Sequence, residues 1–454
     1  MSEYDFDFFV VGGGSGGVRA ARIAGQLGAR VGLCEEARLG GTCVNLGCVP
    51  KKLMVYASHT REMVEDAAGF GWTLGTPAFD WSTLIRNKDR EILRLNGIYR
   101  RLLEGAGVTL YAGRGRLVGP HRVEVDGATH TAERILLCPG GWPSKPPIPG
   151  AEHAITSNDV FHLETCPERI LIVGGGYIAT EFAGIFNGLG SEVVQMYRGP
   201  LFMRGFDPDV RQFLAVEMRK KGVDLRFDCN VTGLERRDGR CLARLTNGDE
   251  EPFDCVFFAT GRRPRTADLG LEQVGVETNA TGAIIVNDDF GTKVPSVYAV
   301  GDVIDRMALT PIALAEGMIL AHRLFGRTDR EMAYENVPTT VFSAPNVGTV
   351  GLTEEAARAR YANVVVYASS FRPMKHTMTG RNEKTFMKVV VDGDSERVVG
   401  CHMVGPDAGE IIQGFAVALN CGATKTQFDR TIGSHPTTAE EFVTMRTPRA
   451  PATL

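Results

Sequence analysis

Several apolar runs along this 454-residue chain end on glycine, and four of them frame its first two thirds. The first run, residues 8–11, leads into Gly12-Gly13-Gly14-Ser15-Gly16-Gly17; a helical stretch follows, then a second apolar run, residues 31–34, closing on Glu35. The pattern repeats from Arg169 in ILIVGGGYIATEFAGIFNGLGSEVVQMYR, and the two copies overlay without a gap. Gly12 falls on Gly174, Leu27-Gly28 on Leu189-Gly190, and Glu35 on Tyr197. The third and fourth runs are VFFATG, ending at Gly261, and SVYAVGD, ending in Gly301-Asp302 ahead of a helical stretch from Thr310. Short apolar runs closed by glycine and alternating with helical periodicity predict parallel strands with crossover helices. From about Glu335 the pattern changes: MKVVV and VVGCHMVG read as strands and EIIQGFAVALNCG as an amphipathic helix, which predicts an α+β portion.

Each long copy is a strand, a G-x-G-x-x-G turn, a helix and a second strand. Such glycines let the backbone approach a pyrophosphate at the helix N-terminus, and an acid at the end of the second strand binds a ribose hydroxyl. Gly12, Gly14, Ser15, Gly17 and Glu35 therefore read as a site for FAD or NAD. The second copy keeps Gly174 and Gly176 but has Tyr197 where the acid would be, followed by Arg198 and Arg204. A 2′-phosphate is repelled by a carboxylate and attracted by guanidinium groups, so this copy reads as a site for NADPH. The expected fold class is α/β, with two Rossmann-like dinucleotide-binding domains and a C-terminal α+β domain. The expected boundaries are 1–150, an inserted 151–262, a return over 263–334, and 335–454.

Composition narrows the classes. Net charge is −4, with 43% hydrophobic and 23% charged residues, so no bulk electrostatic case exists for nucleic acid or a membrane surface. The N-terminal MSEYDFDFF lacks the layout of a signal peptide, and no apolar run reaches bilayer length; the expectation is cytoplasmic. Of ten cysteines, only Cys43 and Cys48 form a close pair, in GGTCVNLGCVPKK. In a straight helix residues five apart lie roughly 8–9 Å from each other, whereas a disulfide needs Cα atoms within about 7 Å. A bond between them requires an irregular turn, which Gly47 permits and Pro50 favours by removing an amide. A small strained loop in a reducing compartment favours a redox-cycling pair over a structural staple. A metal would want two more ligands nearby, and the sequence offers none. Near the C-terminus, His435 and Glu440 in HPTTAEE suit a proton shuttle and its orienting acid, or else an ordinary loop histidine before a helix.

With these motifs in place, the chain resembles the glutathione reductases, within the flavoprotein disulfide reductases, almost from end to end. GGTCVNLGCVPKK resembles their redox-disulfide signature, HPTTAEEFVTMR their C-terminal catalytic signature, and QGFAVALNCGATK their interface helix. The resemblance implies NADPH-dependent reduction of glutathione disulfide through FAD, in a homodimer serving thiol redox balance. The alternatives are reduction of another small disulfide, such as trypanothione disulfide, or a dihydrolipoamide dehydrogenase. Cys43 would attack the substrate disulfide and Cys48 would lie against the flavin as the charge-transfer thiolate. Lys51 and Glu181 would pair beside the flavin, Tyr177 would gate the nicotinamide pocket, and Glu35, Thr42, Gly261, Gly301 and Asp302 would help to hold the cofactors. His435 with Glu440 would complete the site from the other subunit. Ser15, Arg19, Arg22 and Tyr99 would line the disulfide-substrate cleft. Arg19, Arg22 and Gln26 share one helix face, with Ala20, Ala21, Ile23, Ala24 and Leu27 expected on the packing side. Two departures stand out: LLCPGG puts Pro139 where the family usually has threonine, and Met318 replaces an arginine that clamps a substrate carboxylate.

Overall fold

The computed structural model describes residues 3–75, 77–326 and 331–450. Two compact units emerge: residues 1–53, 82–144 and 261–334, and residues 54–81, 145–260 and 335–454.

The first unit is built on a parallel sheet in the order Val108–Ala112, Val31–Glu35, Phe6–Val11, Ala128–Leu137, Val297–Ala299. The apolar runs read from the sequence are its central strands: Phe8, Phe9, Val10, Leu33 and Ile135 are fully or almost fully buried. Helix Ser15–Gln26 packs on this sheet through Val18, Ala20, Ala21, Ile23 and Ala24. Leu27 was expected on that face but stands 40% exposed, because the helix ends at Gln26 and Leu27 is its C-cap. The N-terminal half of strand Ala128–Leu137 also carries an antiparallel meander with Arg122–Val125 and Gly115–Gly119.

The second unit holds the second copy. Its parallel sheet runs Asp224–Arg226, Glu192–Met196, Arg169–Val173, Cys255–Phe258, with helix Tyr177–Leu189 as the first crossover. A three-stranded antiparallel sheet, Val231–Arg237, Arg240–Leu245 and Glu250–Phe253, accompanies it. The C-terminal part is a five-stranded antiparallel sheet whose strand Thr385–Asp392 is buried along its whole length, with helix Ala408–Asn420 against it. Among the described residues no helix is long and apolar enough to cross a membrane.

A buried charge cluster in this unit leaves no trace in the hydrophobic pattern. Lys388, 1% exposed, is gripped by Asp207 (2.9 Å), Asp209 (2.6 Å) and Glu354 (2.8 Å), and Arg449 reaches Asp209 and Glu354. Burial pushes the three carboxyls up, but their partners outweigh it and hold all three below the ordinary carboxylate range. Stability drawn from such depressed groups is present above the unfolded value of about 4 and lost as pH falls through the folded values. Lys388→Met should therefore cost about 3–5 kcal/mol at neutral pH, by stranding carboxylates in the interior. In urea unfolding the deficit should shrink below about pH 4, where the carboxyls take up protons.

Candidate active site

The cysteine pair sits at a break between two helices. Cys43 lies in the short helix Gly41–Asn45, Leu46 leaves helical geometry at φ −139°, and Cys48 opens the long helix Cys48–Asp66. This is the irregular turn that the five-residue spacing demands. The Gly47 carbonyl accepts the Lys51 amide at 2.9 Å, and a Cβ on residue 47 would press to 2.9 Å from the Thr42 carbonyl oxygen. Both cysteines are thiols. The Cys48 sulfur beside it, and then burial, push the Cys43 thiol well above its ordinary value. Two sulfurs this close do not both take negative charge. Cys48 stands at the positive end of a 19-residue helix, and its Sγ lies 3.5 Å from the Thr310 hydroxyl, which also reaches Cys43. Cys43 is half-buried and Cys48 exposed.

Two asparagines that the sequence reading missed hold this turn. Asn45 Nδ2 donates to the carbonyls of Leu39 (3.2 Å) and Gly41 (2.9 Å), and Asn96 Nδ2 donates to Leu39 O and to Asn45 Oδ1, both at 2.9 Å. The only available signal was Asn45 inside the cysteine motif; Asn96 lies 51 residues away on another helix.

Helix Ser15–Gln26 begins at Gly14, which offers no side-chain cap, so the first-turn amides keep their donors for a ligand. Gly12 sits at φ +111°, and a Cβ on Gly17 would fall 2.0 Å from the Gly12 carbonyl oxygen, so only glycine fits at these two positions. Glu35 Oε2 accepts the Gly13 amide at 2.7 Å and Oε1 the Ala37 amide at 2.9 Å. Asp302 follows Gly301 at the end of strand Val297–Ala299. Burial raises both Glu35 and Asp302 above the ordinary carboxylate range. Arg262, another residue missed from sequence, donates to Gly141 O at 2.5 Å and to Thr42 Oγ1 at 3.4 Å, with Asp302 4.0 Å away. Gly261 precedes it. Tyr99 is half-buried; burial first, then Cys43, raises its hydroxyl, and Arg19 opposes them. Arg22 is half-exposed on the same helix as Arg19, and Ser15 starts it. Met318 packs against the core of this unit.

In the second unit, Gly174 takes φ +153° and Gly176 is an N-cap without a side-chain bond. Tyr177 opens the helix, 41% exposed. Glu181, one turn on and buried, accepts the Phe342 amide at 2.9 Å. Arg198 and Arg204 are both exposed, and neither pairs with a carboxylate among the described residues. His435 Nδ1 lies 3.0 Å from Glu440 Oε1 while the imidazole is 79% exposed, so one ring nitrogen is oriented and the other open. Gly433 allows this, since a Cβ there would meet Glu440 Cβ at 2.8 Å. Among the described residues no three His, Cys, Asp or Glu side chains converge as for a metal.

Comparison with known proteins matches residues 6–317 to the family described as pyridine nucleotide-disulphide oxidoreductase, and residues 337–446 to the dimerisation domain of that description. The chain is 53% identical over 449 residues to the glutathione reductase of Burkholderia cepacia, covering 99% of this chain and 100% of the relative. It is 47% identical over 457 residues to the glutathione reductase of a Nostoc species, covering 98% and 100%. It is 48% identical over 458 residues to the chloroplastic/mitochondrial glutathione reductase of Pisum sativum, covering 98% of this chain and 83% of that one.

Proposed function

The chain belongs to the pyridine nucleotide-disulphide oxidoreductases, and from that premise we propose that it reduces glutathione disulfide with NADPH. The observation that carries this reading is the thiol pair Cys43 and Cys48, brought together across a helix break in a chain about half identical to glutathione reductases along its length. FAD fits the first unit: uncapped first-turn amides at Gly14 and Ser15, the tight pair Gly12 and Gly17, and half-buried Glu35 and Asp302 suit its phosphates and sugar hydroxyls. Thr42, Gly261 and Gly301 border that cradle. FAD supplies the relay of a hydride equivalent from NADPH to the disulfide.

The chain's own residues do the thiol chemistry. Two electrons open the Cys43–Cys48 bond to a thiol and a thiolate. Cys43 as thiolate attacks one sulfur of glutathione disulfide, forming a mixed disulfide and releasing one glutathione. Cys48 then attacks Cys43 sulfur, restores the internal disulfide and releases the second. His435, steadied by Glu440, takes the Cys43 proton as Cys43 attacks and passes it to the first departing thiolate, then gives the second a proton drawn from solvent. The balance is NADPH, one proton and one glutathione disulfide in, NADP⁺ and two glutathiones out. Gly174 and Gly176 receive the pyrophosphate of NADPH, Arg198 and Arg204 its 2′-phosphate, and Tyr177 covers the nicotinamide pocket. Lys51 and Glu181 serve the hydride transfer.

The domain reading keeps FAD with 1–150 and 263–334, NADPH with 151–262 and the dimer contact with 335–454; residues 1–2, 76, 327–330 and 451–454 of these ranges lie outside the described residues. The enzyme acts as a homodimer, with His435 serving the cysteines of the partner subunit. We place it in the cytoplasm, where thiols are kept reduced.

Arg19 and Arg22 favour the anionic glutathione disulfide over cationic trypanothione disulfide. The test is NADPH oxidation by the holoenzyme with glutathione disulfide, trypanothione disulfide and lipoamide. Glutathione disulfide should lead in kcat/KM by about 10²-fold or more, the range that charge selection spans. A faster rate with either rival would overturn the substrate. Arg22→Ala should raise KM for glutathione disulfide about tenfold, the worth of one charge-assisted hydrogen bond, and leave reduction by NADPH untouched.

A further inference from the structure

We propose that Arg211 is a positioning residue for the 2′-phosphate of NADPH, fixing the loop that carries Arg198 and Arg204; this rests on the reading of those two arginines given above. Arg211 stands in the first turn of helix Pro208–Lys220, where the helix dipole disfavours a cation. No carboxylate pairs with it among the described residues. Instead its guanidinium reaches back over the preceding loop. Nε donates to Phe202 O at 2.7 Å and Nη2 to Leu201 O at 2.6 Å. Those two carbonyls lie in the stretch that separates Arg198 from Arg204.

The rest of the loop is fastened in a way that makes these bonds matter. Phe202 and Met203 are buried, and the Phe202 ring packs on Phe227 at 5.6 Å. Met203 is held at φ +57°, a left-handed conformation that is strained for a residue with a side chain. Its amide donates to Gly175 O at 2.6 Å, inside the second glycine turn. The pyrophosphate turn and the arginine loop are thus tied together, with Arg211 as the brace on the loop's carbonyl side. A planar guanidinium satisfies two carbonyls at once in a fixed fork; a lysine has one point charge and no fork. Without the brace the loop loses its shape and the two exposed arginines lose their spacing, while the turn that takes the pyrophosphate keeps its own bonds.

The effect should therefore fall on the 2′-phosphate alone. In the holoenzyme, Arg211→Met should raise KM for NADPH and the inhibition constant of adenosine 2′,5′-bisphosphate about tenfold, the equivalent of one charge-assisted hydrogen bond to the phosphate. KM for NADH and the inhibition constant of AMP should move less than about twofold, and kcat at saturating NADPH should hold. Arg211→Lys keeps the charge and one bond, and should recover part of the loss. Turnover with NADH and flavin content report folding; if the methionine variant does not fold, the lysine variant alone should still raise the bisphosphate constant about threefold. Unchanged bisphosphate binding, or an equal loss for AMP, would overturn the inference. Arg198→Met and Arg204→Met, measured alongside, tell two failures apart. If they weaken the bisphosphate and the Arg211 variants do not, Arg211 falls and the NADPH reading stands. If none weakens it, both fall.

Discussion

Cys43→Ser should cut turnover of glutathione disulfide by at least about 10³-fold, because the serine hydroxyl cannot open a disulfide at neutral pH. The same holoenzyme should still lose its visible absorbance when NADPH is added, since the defect lies after that step. Cys48→Ser should be as slow overall but differ in kind. It keeps the attacking sulfur, so with glutathione disulfide it should stop at a mixed disulfide on Cys43, seen as a mass increase of one glutathionyl group. The roles rest on a contrast visible in the backbone: Cys48 starts a long helix and Cys43 lies in a five-residue one. If Cys43→Ser accumulates the mixed disulfide and Cys48→Ser does not, the roles are reversed.

His435→Ala should lower kcat by about 10²–10⁴-fold, the usual worth of a positioned acid–base group. Its more informative use is in mixed dimers. A Cys43→Ser subunit paired with a His435→Ala subunit has, if each site draws its histidine from the partner, one site with both groups intact and one with neither. Such heterodimers should run at about half the rate of the unaltered dimer. Were the histidine supplied within the same subunit, both sites would be broken and the mixture silent. Glu440→Gln tests the orienting bond: it keeps a partner 3.0 Å from Nδ1 but removes the charge, and should fall between the unaltered enzyme and His435→Ala.

What could be read from the sequence follows from the range of each interaction. The strands at residues 8–11 and 31–34, the two glycine turns and the break between the cysteines are set by neighbours a few residues apart, so periodicity and turn chemistry reveal them. His435 and Glu440 are five residues apart, yet spacing alone left an ordinary loop histidine open, and it was the resemblance that singled the pair out. Leu27 was misjudged because its apolar character fits the face, whereas the helix stops one residue short of it. Asn96, Arg262 and Lys388 were invisible. Their partners lie 51, 121 and 181 residues away, and nothing local distinguishes them from solvated polar side chains. Met318 packs on the core, which is why an apolar side chain is comfortable there.

The two glycine turns have diverged in a way that bears on attempts to retrofit the enzyme for NADH. In the first, a carboxylate reaches back and takes the Gly13 amide at 2.7 Å. In the second, the Tyr197 ring lies so close that a Cβ on Gly175 would meet it at 2.4 Å, and the Gly175 carbonyl is already committed to Met203. Writing a glutamate at position 197 would remove the ring without recreating the first turn's geometry, and would set a negative charge beside the loop that carries Arg198 and Arg204. On the proposed NADPH reading, coenzyme preference is the property of a turn, a ring and a loop acting as one module, and a redesign has to transplant all three together.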